Sequence, residues 1–175
     1  MQPADLILVK GHSWATAPVI WATGGNVSHV GMVVSTDIVP LIIESTFPHV
    51  RTVPLDVMIQ GDSRVILLKA LNLTREDRIE IVREACKFSA TGYSLTKAGL
   101  LGFDNLFDTN FFTEHLDFSD NTICCYLAVH AYRTRQKYFG KTNDANIDCN
   151  DIENFALSHP QFFQILVLKD TDVQP

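Results

Sequence analysis

The sequence predicts an α+β fold: a mostly antiparallel sheet or half-barrel, with a cysteine-bearing helix packed against it. Three observations predict it. Short apolar runs at 5–9, 28–34, 41–46, 64–69 and 162–169 have the length and composition of strands. The turn residues Thr36 and Asp37 lie between the second and third runs, so 29–35 and 41–46 can pair as a hairpin. Residues 123–132 read as a helix that begins at a thiol. Cys124, Leu127, Ala128 and Ala131 share one of its faces, and the two alanines let that face lie close against a sheet.

The elements follow in order. Residues 5–9 are a nearly continuous apolar strand, broken by Lys10-Gly11-His12-Ser13. Ser13 is placed to cap a short helix over 14–22 carrying Trp14, Val19, Ile20 and Trp21, and Thr23-Gly24-Gly25-Asn26 ends it. In the strand at 28–34, alternation puts His29, Gly31 and Val33 on one face, and the glycine leaves open space beside the imidazole. The strand at 41–46 carries Glu44, a carboxylate closing an apolar run. Either it reaches solvent at a strand end or it pairs with His29 across the hairpin. Pro54 starts a brief helix to Met58. Thr74 and Asp77 form a capping box for a helix to about Ser89, with Ile79, Val82, Ala85, Cys86 and Phe88 at helical spacing and Cys86 in the core.

Residues 90–94 read as a loop, 95–107 as weakly helical, and 104–120 as a long surface loop rich in Phe, Asp and Asn. Ser119, Asp120, Asn121 and Thr122 supply cap-favouring side chains for the cysteine helix, which is expected to end near Phe139-Gly140. A short helix at 151–157 and a final strand at 162–169 complete a single domain spanning 1–175. No repeat or linker divides it.

Composition limits the function classes. The chain is 46% hydrophobic and 19% charged, an ordinary globular mix. Its formal net charge is −6 and it has no basic run, which argues against a nucleic-acid partner. No basic, apolar leader precedes the first strand, and no apolar run is long enough to span a bilayer, so a cytoplasmic chain is expected, with export lacking a visible signal as the alternative. The four cysteines, Cys86, Cys124, Cys125 and Cys149, show no CxxC spacing. Neither zinc nor a redox pair is suggested, and all four are expected as reduced thiols.

The first turn of a helix favours a thiolate, because its free N–H groups and the helix dipole stabilise negative charge. The same N–H groups are suited to holding an oxyanion. Two readings of Cys124 stand at this point: a nucleophile, or a small hydrophobe in the core. Cys125 lies about 100° round the helix with Val129 and Tyr132 and reads as structural. A strand-borne histidine, a neighbouring carboxylate and a helix-start cysteine are the three parts of a thiol nucleophile site, in the chain order His29, Glu44, Cys124.

These segments resemble a known superfamily. Ala4-Asp5-Leu6-Ile7-Leu8-Val9, Val27-Ser28-His29-Val30-Gly31-Met32-Val33, Ile42-Ile43-Glu44-Ser45, Gly92-Tyr93-Ser94 and Ile123-Cys124-Cys125-Tyr126-Leu127-Ala128 are similar, in that order, to the circularly permuted papain-like, NlpC-related amidases of the YaeF and YiiX type. The resemblance implies a permuted papain-like fold and a cysteine hydrolase, an amidase or peptidase acting through an acyl-enzyme. It implies Cys124 as nucleophile, His29 as base and Glu44 as the group that orients the base. It places Tyr93 near the site; the thiol mechanism calls for no cofactor and no metal, and no ligand spacing demands one. Where the family has Ser and Glu after its cysteine, this chain has Cys125 and Tyr126. A small-molecule, peptide or lipid acyl substrate is the expected partner. Trp14 is a candidate substrate-binding residue. Trp14, Trp21, Phe103, Phe107, Phe111 and Phe112 would suit an acyl groove if the enzyme is instead a lipid acyl hydrolase or acyltransferase. A non-catalytic binding domain of the same fold is the remaining alternative.

Overall fold

The computed structural model describes residues 1–11, 27–89, 91–94, 97, 100, 121–135, 139 and 144–171. The expected helix at 14–22 and the aromatic stretch 103–112 lie outside them, and Trp14 with them. Eight strands are described: β1 (Leu6–Lys10), β2 (His29–Ser35), β3 (Leu41–Ser45), β4 (Val50–Pro54), β5 (Arg64–Ala70), β6 (Gly92–Tyr93), β7 (Asn121–Thr122) and β8 (Phe163–Asp170). The described helices are α1 (Leu55–Met58), α2 (Arg75–Cys86), α3 (Cys124–Arg133) and α4 (Cys149–Ser158), with a 3-10 turn at Asp144–Asn146 before α4.

Six strands form one sheet in the order β4-β3-β2-β1-β5-β8, with every neighbouring pair antiparallel. The five expected strands are all present. The runs in β1, β2, β3 and β5 are apolar on both faces because both faces are covered there; the edge strand β8 leaves Leu166, Val167 and Leu168 exposed. Leu6, Leu8, Val30, Met32, Ile43, Ile66 and Leu68 pack with α2, α3 and α4. The alternate residues Ile7, Val9, Val33, Ile42, Val65 and Leu67 pack with Met58, Leu55 and Ile59, in and just after α1. This second layer corrects the expectation of space beside Gly31. A Cβ there would lie 2.5 Å from Ile42 Cγ2 and 2.8 Å from Met58 Cε, so the room left by the glycine is already filled.

α2 begins as its sequence dictates. Thr74 accepts from the Asp77 N–H, and the Asp77 carboxylate accepts from the Thr74 N–H. Its inward face differs from the expected one. Ile81 and Ala85 are buried, whereas Ile79 is 47% exposed and Cys86 is exposed. The reason is Arg78, on the same face as Ile81 and Ala85 by helical spacing. Its guanidinium donates to Pro3 O, Ala70 O and the fully buried Asp5 carboxylate, which turns the 78–81–85 line toward the sheet.

α3 is shorter than expected, ending at Arg133. Thr134 follows as its cap, and its hydroxyl bonds back to Ala131 O, offering that carbonyl a partner other than a continuing helix. α4 starts at Cys149, two residues before the expected 151. Asp148 and Asp151 there form a reciprocal capping box that the sequence reading did not include. No described helix is long and apolar enough to cross a membrane.

Candidate thiol site

The β2–β3 hairpin builds the first half of the site. Its register sets Gly31 opposite Glu44. Glu44 therefore meets no side chain directly across the ladder and engages the diagonal neighbour on the same face, His29. The imidazole Nε2 lies 2.7 Å from Glu44 Oε2. On the other side, β4 sets Arg51 opposite Glu44, and Arg51 Nε donates to Oε1 at 2.8 Å. Glu44 is 3% exposed. The solvent-facing alternative for this carboxylate does not hold. Arg51 was not anticipated, although the strand alternation that placed His29 also places it once β3 and β4 are paired.

The second half comes from α3, and short backbone links carry it to the hairpin. β6 bridges to the β3–β4 turn through His49 and Gly92, and pairs in parallel with β7. Ser45, at the end of β3, donates its hydroxyl to Thr122 O at 3.1 Å. The chain turns there, and Ile123, in extended conformation, becomes the N-cap of α3 without any side-chain cap bond. Of the polar residues expected to cap this helix, Asn121 and Thr122 are strand instead, and Ser119 and Asp120 lie outside the described residues. Cys124 is nevertheless the first helical residue, as expected.

Cys124 is 7% exposed, and its sulfur lies close enough to the His29 side chain for each group to shift the other's pKa. With Nε2 engaged by Glu44, the ring nitrogen left for the sulfur is Nδ1. Sulfur, imidazole, carboxylate and guanidinium thus form one connected row, drawn from four elements.

The electrostatics of the row are internally consistent. Burial opposes a charged His29, but the adjacent Cys124 thiolate, and then the Glu44 carboxylate, outweigh it and raise the imidazole pKa to about 10. Burial likewise opposes a charged Glu44. Its bonds to His29 and then Arg51 hold it below the usual carboxylate value. The Cys124 thiol is lowered well below an ordinary cysteine, first by hydrogen bonds from Cys125 and Cys149 and then by His29, against its burial.

Those two further sulfurs were not expected here. Cys125 Sγ is 3.7 Å and Cys149 Sγ 3.8 Å from Cys124 Sγ, and they lie 3.0 Å from each other. Both thiols are pushed well above their usual values: Cys125 chiefly by its bond to Cys124, against its bond to Cys149, and Cys149 by its bonds to Cys124 and Cys125, with burial and then charge repulsion from Cys124 adding to each. Cys125, read as structural, is buried in the core with its sulfur beside that of Cys124, and spacing along the chain gave no hint of Cys149. One local signal existed: Asp148 and Asp151 flank Cys149 as a capping box, which puts that cysteine at a helix start like Cys124.

Tyr93 lies beside the trio, packed with Ile123, Ala145 and Tyr126, and its phenol is pushed upward by burial and then by the negative charge it faces at the sulfurs. Of the candidate residues, the fold brings together Cys124, His29, Glu44 and Tyr93.

No protein-family model matches the chain, and no curated protein matches it. Among solved structures it is similar to the crystal structure of the metalloprotein YiiX from Escherichia coli O157:H7 (DUF1105). The two share 16% sequence identity with a TM-score of 0.58, over 99% of this chain and 93% of that one. At that identity the likeness is one of fold, and it agrees with the YiiX-type resemblance carried by the sequence segments.

Proposed function

We propose that this chain is a thiol hydrolase of amide or peptide bonds, with a permuted papain-like arrangement in which the histidine strand precedes the cysteine helix. One observation carries the reading: a sulfur at a helix start lies beside an imidazole whose far nitrogen is held by a buried carboxylate, 2.7 Å away. Each neighbour has a chemical task. His29 takes the Cys124 proton and remains as imidazolium, and Glu44, itself fixed by Arg51, orients and stabilises that imidazolium.

The Cys124 thiolate attacks the acyl carbonyl of the substrate. The developing oxyanion lies against the first-turn N–H groups of α3, which have no acceptor within the helix. Tyr93, kept neutral, offers a further donor. His29 then protonates the departing amine, leaving a thioester on Cys124. Neutral His29 deprotonates a water, which attacks the thioester; the acid departs and the site is restored.

The test is site-resolved alkylation by iodoacetamide alongside turnover of acyl amides. Wild-type protein is expected to label one buried cysteine rapidly at neutral pH and to form an acyl adduct there that mass spectrometry locates at Cys124. Cys124→Ser should abolish both, while Cys125→Ser should retain the rapid labelling. If the neutral-pH reactive fraction survives in Cys124→Ser, the reading is wrong.

A further inference from the structure

Cys125 and Cys149 have no task in that reaction, yet both sulfurs are buried behind the nucleophile. Two hydrophobic thiols would need only packing, and packing does not by itself collect three sulfurs from two helices at one point. Here α3 contributes its first two residues and α4 its first, so two ten-residue helices direct their N-termini at the same cluster. That arrangement favours negative charge on sulfur twice over.

We infer that Cys124, Cys125 and Cys149 form a three-sulfur site for one soft, closed-shell cation of the zinc type. The distances support it. A zinc–sulfur bond of about 2.3 Å in tetrahedral geometry sets its sulfurs roughly 3.8 Å apart. Two of the three separations are 3.7 and 3.8 Å, and the third, 3.0 Å, need only open. All three ligand atoms lie within 4.8 Å of one another, and the residues are buried. Thiolates select zinc, cadmium or copper(I) over magnesium or calcium, whose preferred ligands are oxygens.

Each sulfur that still holds a proton loses it to solvent as the cation enters. No oxidant is involved and no bond between sulfurs forms. The fourth position is left to water or to an incoming ligand. The site stands whether or not Cys124 is a nucleophile. If it is, a clause that rests on the hydrolase reading follows: occupancy ties up the attacking lone pair, so metal binding and acyl transfer exclude each other.

The experiment uses the full chain, reduced, stripped by a chelator and titrated anaerobically with cobalt(II), then zinc. A thiolate-to-cobalt charge-transfer band is expected to saturate at one ion per chain and to vanish when zinc is added. Cys149→Ala and Cys125→Ala should each weaken cobalt binding by more than the roughly 10- to 100-fold that loss of an outer-sphere partner costs. Cys86→Ala, with its thiol exposed elsewhere, should leave the band unchanged. Circular dichroism identifies any variant that has failed to fold. A second readout needs no variant: zinc-loaded wild-type protein should lose iodoacetamide labelling at Cys124 and keep it at Cys86. A wild-type chain without a saturable charge-transfer band, or zinc-loaded protein labelled at Cys124 as fast as stripped protein, overturns the site. The hydrolase reading fails separately, if stripped protein shows no neutral-pH reactivity at Cys124 while the cobalt band remains.

Discussion

Three thiols crowd one point, and of the three only Cys124 has its pKa lowered. It also lies beside the His29 imidazole, and its sulfur is within hydrogen-bond distance of both neighbouring thiols. The consequence for pH has a definite sign. A lowered thiol pKa keeps the sulfur ionised toward acid pH, and an imidazole raised to about 10 keeps its proton into the alkaline range. The thiolate–imidazolium pair therefore spans neutrality. Cys124 alkylation is expected to have reached its plateau at neutral pH, where an ordinary thiol of pKa about 8.5 is only a few per cent ionised. Turnover should fall on the alkaline side near the imidazole value. Glu44→Gln removes a carboxylate charge and bond from His29, so its alkaline limb should move down in pH. Turnover should drop on the order of 100-fold, the scale of an acid–base contribution. An alkaline limb that does not move in Glu44→Gln would mean that this carboxylate does not bear on His29.

The elements that hold the site are fixed by polar links as much as by apolar area. α2 is tied to the sheet by Arg78, whose guanidinium spans Pro3 O, Ala70 O and the Asp5 carboxylate, with 3.1 Å to the carboxylate. Asp5 is fully buried, so Arg78→Ala would strand a charge without its cation. A loss of about 3 kcal/mol is expected, read from urea unfolding midpoints and slopes. The Arg83–Glu80 pair on the outer face of the same helix is a contrast. Arg83 is 59% exposed, and Arg83→Ala should leave the midpoint unchanged, because solvent screens such pairs. Equal effects from the two variants would contradict the anchoring role of Arg78. The capping boxes belong at this scale too. The Thr74–Asp77 box was legible in the sequence because cap and partner stand three residues apart beside an apolar period. The Asp148–Asp151 box has the same spacing, but Cys149 and Asn150 inside it blur the onset of helical period.

At the scale of the whole molecule, the site exists only while distant segments are held together, and this has a direct test. In denaturing guanidinium the four cysteines should alkylate at similar rates, with the pH dependence of ordinary thiols, and the preference for Cys124 should vanish. Persistent preference for Cys124 in the unfolded chain would place its activation in local sequence rather than in the fold. Sequence by itself determined β1, β2, β3, β5 and β8, because each is a short apolar run closed by turn residues; β4, β6 and β7, which have no such run, were not legible in it. It also determined the start of the cysteine helix and the β2–β3 hairpin, since a turn of a few residues leaves little choice of partner, but left open whether Glu44 reaches solvent or His29. Tertiary structure alone decided what lies far apart in the chain: the link between Ser45 and Thr122 that brings α3 to the hairpin, Arg51 as the second holder of Glu44, and the arrival of Cys149 beside Cys124 and Cys125. Local periodicity reports which face of an element is apolar. It does not report which other element that face will meet, and a cluster of three sulfurs from two helices is set by that meeting.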